Sequence, residues 1–266
     1  MKAAGTPSLL AVEQVVAGYG ATTILDGVSL TVSAGEIVVV LGGSGCGKTT
    51  LLRCIVGLLP PWGGRVLIEG RDINAAGDAE RETILRDVGM AFQGAALLNS
   101  MTVEENVALP VSEHWQLDYK TALMVARMRL ARVGLGAAAG MMPGELSGGM
   151  RKRAGLARAL ALEPHLLLFD EPSAGLDPVT ARELDDLILS LKEQGTMGIV
   201  VVSHELASVN VIADRAVMLA NGKVLTSGSL DEVRADPDPL VQAFFRREVP
   251  PHEARRSILD ELEWRA

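Results

Sequence analysis

The segment Ile37-Val38-Val39-Val40-Leu41-Gly42-Gly43-Ser44-Gly45-Cys46-Gly47-Lys48-Thr49-Thr50 passes from an apolar run through glycines into a helical pattern, Thr50–Leu58. The apolar run has no polar alternation, which marks a strand buried on both faces. Glycines let the backbone curl so that successive N–H groups point inward at phosphate oxygens. The following helix adds its positive end, equivalent to roughly half a charge. Lys48 is placed to neutralise the β- and γ-phosphates, and the Thr49 hydroxyl to ligate Mg²⁺. The plainer alternative is a glycine-rich turn between strand and helix, but such turns rarely carry Lys-Thr where the helix starts. The segment therefore predicts a nucleotide-binding loop in an α/β fold.

Further short β-rich runs alternate with helical patterns, as in a mainly parallel sheet covered by helices. They are Leu9–Val16, Val28–Val32, Glu36–Leu41, Arg65–Glu69, Val88–Phe92, Leu166–Asp170, Gly198–Ser203 and Ala216–Ala220. Leu166–Phe169 and Ile199–Val202 share the unalternated apolar character of Ile37–Leu41 and are expected beside it in the sheet centre. Between Thr102 and Leu162 the β signal gives way to helical spacing. Thr102-Val103-Glu104-Glu105 opens that region like a capping box. Ala122–Val133 and Met150–Leu162 read as long helices. The region is expected to form a helical lobe inserted between two halves of the sheet. Past Pro250-Pro251 lies a short tail, in which Ser257 can cap a helix with Ile258, Leu259 and Leu262 on one face.

Four polar positions follow predicted strands. Asp170-Glu171 closes Leu166–Phe169, where Asp170 can hold Mg²⁺ through its water shell and Glu171 can polarise an attacking water; solvated acids at a strand end are the bland reading. Gln93, in Ala91-Phe92-Gln93-Gly94, can touch metal and water without adding charge, although glutamines at strand ends are mostly just exposed. His204, in Val202-Ser203-His204-Glu205, can hydrogen-bond a γ-phosphate, although a lone histidine there is more often structural. Tyr19, between Gly18 and Gly20, can stack on a base or pack as a turn aromatic. His114, His165 and His252 have no comparable context and read as surface residues. Ser147-Gly148-Gly149 precedes the run Met150–Leu162 and offers a hydroxyl and amides at a helix start. It reads either as an ordinary cap or as a second anion cradle used by another molecule's nucleotide.

Taken together, Gly42–Thr49, Leu146-Ser147-Gly148-Gly149, Asp170-Glu171 and His204 resemble the ATPase subunit of an ATP-binding-cassette (ABC) transporter over about Leu9 to Leu225. The resemblance implies a P-loop NTPase of ABC type. That fold has a mainly parallel sheet core, an antiparallel β subdomain and an inserted helical lobe at about 94–162, all within 9–247. It further implies that Gly42, Gly43, Ser44, Gly45, Cys46, Gly47, Lys48, Thr49 and Thr50 bind ATP with Tyr19 on the base. Thr49, Gln93 and Asp170 then serve Mg²⁺, and Glu171, His204, Gln93 and Lys48 serve catalysis. Ser147, Gly148 and Gly149 face the nucleotide of a second copy, and Asp177 contacts that copy.

Family members mostly carry Gln where this chain has Met150. That departure, the run Met150-Arg151-Lys152-Arg153 and the stretch Phe92–Pro110 are similar to the lipid-handling Mla/Mce (Mkl, toluene-tolerance) ATPases. This finer resemblance implies a homodimer under two integral-membrane permease subunits, with a small regulatory subunit and a periplasmic Mce-domain lipid-binding protein. The coupling helix of the permease is expected at Gln93 to about His114. The tail 248–266 reads either as a frayed end or as a docking extension that grips the other subunit. Another cargo (amino acid, metal or drug) is the alternative, followed by a soluble ABC ATPase acting away from membranes.

Composition bounds these readings. The net charge of -8 over 266 residues argues against a nucleic-acid surface and against tight binding to anionic headgroups. No apolar run approaches the about 20 residues that a spanning helix needs. The two cysteines, Cys46 in the loop and Cys54 in the helix after it, do not look like a disulfide pair. With no charged-then-apolar leader in view, the expected place is the cytoplasm, peripheral on the cytoplasmic face of the inner membrane through partner chains.

Overall fold

The computed structural model describes residues 8–193 and 195–248. An antiparallel layer opens the chain, formed by β1 (Ser8–Tyr19), β2 (Thr22–Ser33), β4 (Gly63–Ile68) and β5 (Arg71–Asp72) in the order β2-β1-β4-β5. The second sheet contains β3 (Ile37–Leu41), β6 (Val88–Ala91), β7 (Leu166–Asp170), β8 (Gly198–Val202), β9 (Arg215–Ala220) and β10 (Lys223–Gly228). Its order is β10-β9-β3-β8-β7-β6, parallel except for the β9–β10 hairpin. The three apolar runs without alternation become β3, β8 and β7, adjacent in the sheet interior and buried at every residue. They carry the largely parallel core that the sequence predicts.

Successive residues of these strands feed two different packing layers. Val38, Val40, Leu166, Leu168, Val200 and Val202 pack with the antiparallel sheet and α1 (Lys48–Ile55). Val39, Leu41, Leu167, Phe169, Ile199 and Val201 pack with the helices on the other side. Those helices include α3 (Val103–Trp115), α4 (Tyr119–Arg132) and α5 (Gly148–Ala159), which make the expected lobe, and α6 (Pro178–Lys192) and α7 (Leu206–Ile212) beside it. The chain ends its described course in α8 (Leu230–Ala235) and α9 (Pro239–Arg246). α2 (Asp78–Arg86) connects the antiparallel layer to β6.

Caps fix the helix starts and correct the predicted bounds. Thr102 Oγ1 accepts from the Glu105 amide at 3.3 Å while Glu105 accepts from the Thr102 amide at 2.7 Å, the predicted capping box. α4 starts at Tyr119 rather than Ala122 because Asp118 accepts from the Thr121 amide at 3.1 Å. α5 starts at Gly148 rather than Met150, with the Ser147 hydroxyl accepting from the Met150 amide at 3.2 Å. β1 and β2 run longer than Leu9–Val16 and Val28–Val32 because their pairing continues to Tyr19 opposite Thr22. β5, β10, α2 and α6 to α9 have no counterpart among the predicted elements. The helix expected after Ser257 lies outside the described residues.

Candidate nucleotide site

The parallel strands all end on one edge, the usual place for a ligand in an α/β sheet. β3 runs into the glycine loop, β6 into Gln93, β7 into Asp170-Glu171 and β8 into Ser203-His204. A cleft of about 440 Å³ opens there, lined by Ser44, Gly45, Gly47, Lys48, Thr49 and Thr50 together with Ile24, Gln93, Glu171 and His204. Residues far apart in the chain thus meet as the motifs predict.

The loop is built for close approach. Gly42 has φ 152°, and a Cβ there would meet the Leu219 carbonyl oxygen at 2.4 Å. Gly47 (φ 109°) caps α1, leaving the first-turn amides free to donate to an anion. Cys46 and Lys48 are buried. Burial raises the Cys46 thiol pKa and the neighbouring Lys48 ammonium opposes that rise. Cys46 and Cys54 are both free thiols, and burial alone pushes Cys54 up to about 11. Lys48 Nζ donates to the carbonyl oxygens of Gly42 at 2.8 Å and Gly43 at 3.0 Å. This holds an ammonium at the loop mouth, where a phosphate oxygen can replace a carbonyl.

Across the cleft, Thr49 Oγ1 donates to Asp170 Oδ1 at a long 3.4 Å. Burial chiefly, and then the Glu171 charge, raise the Asp170 pKa, against the opposing pull of the Thr49 bond and of Lys48. A hydroxyl and a charge-strained carboxylate so placed, with the Gln93 amide on the same cleft, form the all-oxygen donor set that suits Mg²⁺. A divalent cation there would relieve the repulsion between Asp170 and Glu171.

Glu171 is 8% exposed and stands at φ 51°, a left-handed backbone that L-residues with side chains adopt at a cost of roughly 1–2 kcal/mol. Its amide donates to the Val202 carbonyl at 2.9 Å. One carboxylate oxygen lies 2.7 Å from His204 Nδ1 and the other accepts from the His204 amide at 3.3 Å. The predicted base and switch histidine are therefore in direct contact, which spacing alone does not reveal. From behind, Lys152 Nζ on α5 donates to the carbonyl oxygens of Glu171 at 3.1 Å and Pro172 at 2.5 Å. The same helix holds the loop after Gln93, where Arg158 donates to Ala96 O at 2.7 Å and Ala95 O at 3.3 Å. Neither cation was predicted as a site residue; Lys152 falls in the run Met150-Arg151-Lys152-Arg153 that carries the finer resemblance, and Arg158 lies further along the same helix.

Gly42, Gly43, Cys46 and Asp170 do not line the cleft but adjoin residues that do, whereas Tyr19, Ser147, Gly148, Gly149 and Asp177 stand apart from it. Tyr19 does not line it; its hydroxyl accepts from Arg53 at 2.8 Å and its ring is half-exposed at the end of β1. Ser147, Gly148 and Gly149 do not line it either and lie at the start of α5, with Ser147 and Gly148 exposed. The serine is thus the ordinary cap of the plainer reading, and its exposed face stays available to a second molecule. Asp177 caps α6, accepting from the Val179 and Thr180 amides at 3.1 Å. His165 pairs with Glu69 at 2.7 Å on the surface, as expected, whereas His114 is more enclosed, 3.5 Å from Glu82.

The family model described as ABC transporter matches residues 25–174, more than half of the chain. The chain belongs to the ABC transporter family. As such it is an ATP-hydrolysing subunit that binds ATP. This cassette is similar to the intermembrane phospholipid transport system ATP-binding protein MlaF of Escherichia coli K12, 45% identical over 226 residues, 85% of this chain and 84% of the relative. It is also similar to the methionine import ATP-binding protein MetN of Rhizobium johnstonii, 39% identical over 96% of this chain and 71% of the relative. Among solved structures, the dimeric cassette MJ0796 in a post-hydrolysis state bound to ADP and Pi superposes with a TM-score of 0.76 at 31% identity, over 83% of this chain and 98% of that one. These likenesses bear out the resemblance and the fold class read from the motifs.

Proposed function

We propose that this cassette powers phospholipid transport of the Mla/Mce type, as one of two identical ATPase subunits beneath two integral-membrane permeases. The observation that carries the dimer is the separation of two anion cradles within one chain. Gly45, Gly47 and Lys48 line the cleft, whereas Ser147 and Gly148 lie exposed outside it at a helix start, with Gly149 buried beside them. A head-to-tail pair closed by two-fold symmetry uses both on each ATP. The likeness to the dimeric MJ0796 cassette supports that arrangement. The phospholipid cargo is supported by the likeness to MlaF, with methionine-type import as the second reading through MetN.

In this reading Gly42 to Thr50 cradle the phosphates, Lys48 neutralises them, and Tyr19 covers the base from the edge of β1. Thr49, Gln93 and Asp170 would hold Mg²⁺, which when bound supplies charge neutralisation at the β- and γ-oxygens. Glu171 takes the proton of the attacking water. His204 shares that carboxylate at 2.7 Å and trades this bond for the γ-phosphate when ATP arrives, releasing Glu171 to the water.

No helix among the described residues is long and apolar enough to cross a membrane. Membrane contact would therefore come through the permeases, on the cytoplasmic face of the inner membrane. Beyond Gln93, Leu98 is 44% exposed next to the Thr102 cap, an apolar foothold for a short amphipathic coupling helix. A small regulatory subunit and a periplasmic Mce-domain protein complete the assembly, with the tail 248–266 gripping the second subunit.

The Glu171→Gln variant tests this reading. It should bind MgATP, lose turnover by at least about 100-fold and accumulate as a dimer in light scattering. A variant that stays monomeric with saturating MgATP, even beside its permease, would overturn the shared site.

A further inference from the structure

α5 holds two loops of the site with two cations. Arg158 grips the carbonyls of Ala95 and Ala96, both at positive φ (60° and 50°), and Lys152 grips those of Glu171, also at positive φ, and Pro172. Lys152 sits among Ala91, Phe92, Phe169, Pro172 and Leu184, where an apolar side chain would pack without desolvating a charge. Burial lowers the Lys152 pKa, and the Glu171 carboxylate opposes that shift. An ammonium kept in so costly a place has a use for its donors. Those donors end on the two peptide carbonyls that flank the strained turn beneath the acid.

We propose that Lys152 is a positioning residue for hydrolysis, clamping the Glu171–Pro172 turn so that the carboxylate is held against His204 and the cleft. This rests on the role given to Glu171 above. Ser147, which caps the same helix, serves the opposite subunit's ATP in that reading, whereas Glu171 serves its own. Lys152 therefore links the two half-sites mechanically: a pull on the start of α5 by the partner's γ-phosphate reaches the acid through one ammonium.

The test uses steady-state ATPase kinetics and nucleotide binding on the full-length chain. Lys152→Met should lower kcat by about 10- to 100-fold, leave KM and MgATP affinity within about two-fold, and reduce the Hill coefficient for ATP. Lys152→Gln repeats the test should Met impair folding, and Lys152→Arg should restore most of kcat. Placed on Glu171→Gln, Lys152→Met should cause no further loss, since it acts through that acid. Wild-type kcat in Lys152→Met beside an inactive Glu171→Gln overturns Lys152 alone. A loss that multiplies on the Glu171→Gln background, or one that appears in KM only, does the same. A fully active Glu171→Gln overturns the assigned acid and this inference with it.

Discussion

Asp170, Glu171 and Asp185 are carboxylates at 8%, 8% and 3% exposure, and each has a different reason to be buried. Glu171 lines the cleft, Asp170 accepts from the Thr49 hydroxyl beside it, and Asp185 lies in α6 with Oδ1 unpartnered. Burial raises the Asp185 pKa, while the Ser208 hydrogen bond and nearby Arg182 oppose the rise. A carboxyl held above its unfolded value binds its proton more tightly in the native state. Its contribution is therefore fully present at low pH and is lost as pH climbs from the unfolded value, about 3.9, through the raised one. Asp185→Asn removes that loss. Thermal melts should show the variant at least as stable as the parent at neutral pH, with a Tm gain of ~2–4 °C for about each 1 kcal/mol recovered. The gain should vanish toward pH 4; an Asn variant that melts lower across the whole range would show that the charge is wanted.

The helical lobe owes its shape to a few polar fixtures. Asn106 is fully buried in α3; its Oδ1 accepts from the Leu98 amide at 2.7 Å and its Nδ2 donates to the carbonyls of Leu98, Met101 and Thr102. Asn106→Ala strips the partner from the Leu98 amide and the Met101 carbonyl, while the Leu98 and Thr102 carbonyls keep the Met101 and residue-106 amides, and should cost about 2–4 kcal/mol in urea denaturation. A cost under about 0.5 kcal/mol would mean that water replaces the side chain. The capping box at Thr102 was legible because its signal is local, and so were β3, β7 and β8, whose unalternated apolar runs have one good explanation. α6 was missed although Leu184, Ile188 and Leu191 recur on one face. β10 was missed because an edge strand of mixed polarity lacks the pattern of a core strand. The meeting of Lys48, Thr49, Gln93, Glu171 and His204 at one cleft was readable because phosphate chemistry restricts residue type and spacing. The Glu171–His204 contact and the grip of Lys152 were not, since each depends on how neighbouring strands and a helix stack in space.

In the whole molecule the lobe, the parallel sheet and the antiparallel layer share one set of backbones. Val103, Val107 and Leu130 of the lobe pack in the same cluster as Val39 and Phe169 of the sheet. Val40 and Leu168 of the same two strands pack against Val15 and Val28 of the antiparallel layer. Neither layer can lose its packing while β3 and β7 stay sheltered for the other. The protein should melt as one unit, with calorimetric and van't Hoff enthalpies in agreement; two resolved endotherms would contradict that. The strand alternation that shelters the sheet also limits motion during turnover. Whatever swings when ATP comes and goes must turn as a rigid block about the loops at Gln93 and Glu171, because a bend through β3 would open both cores at once.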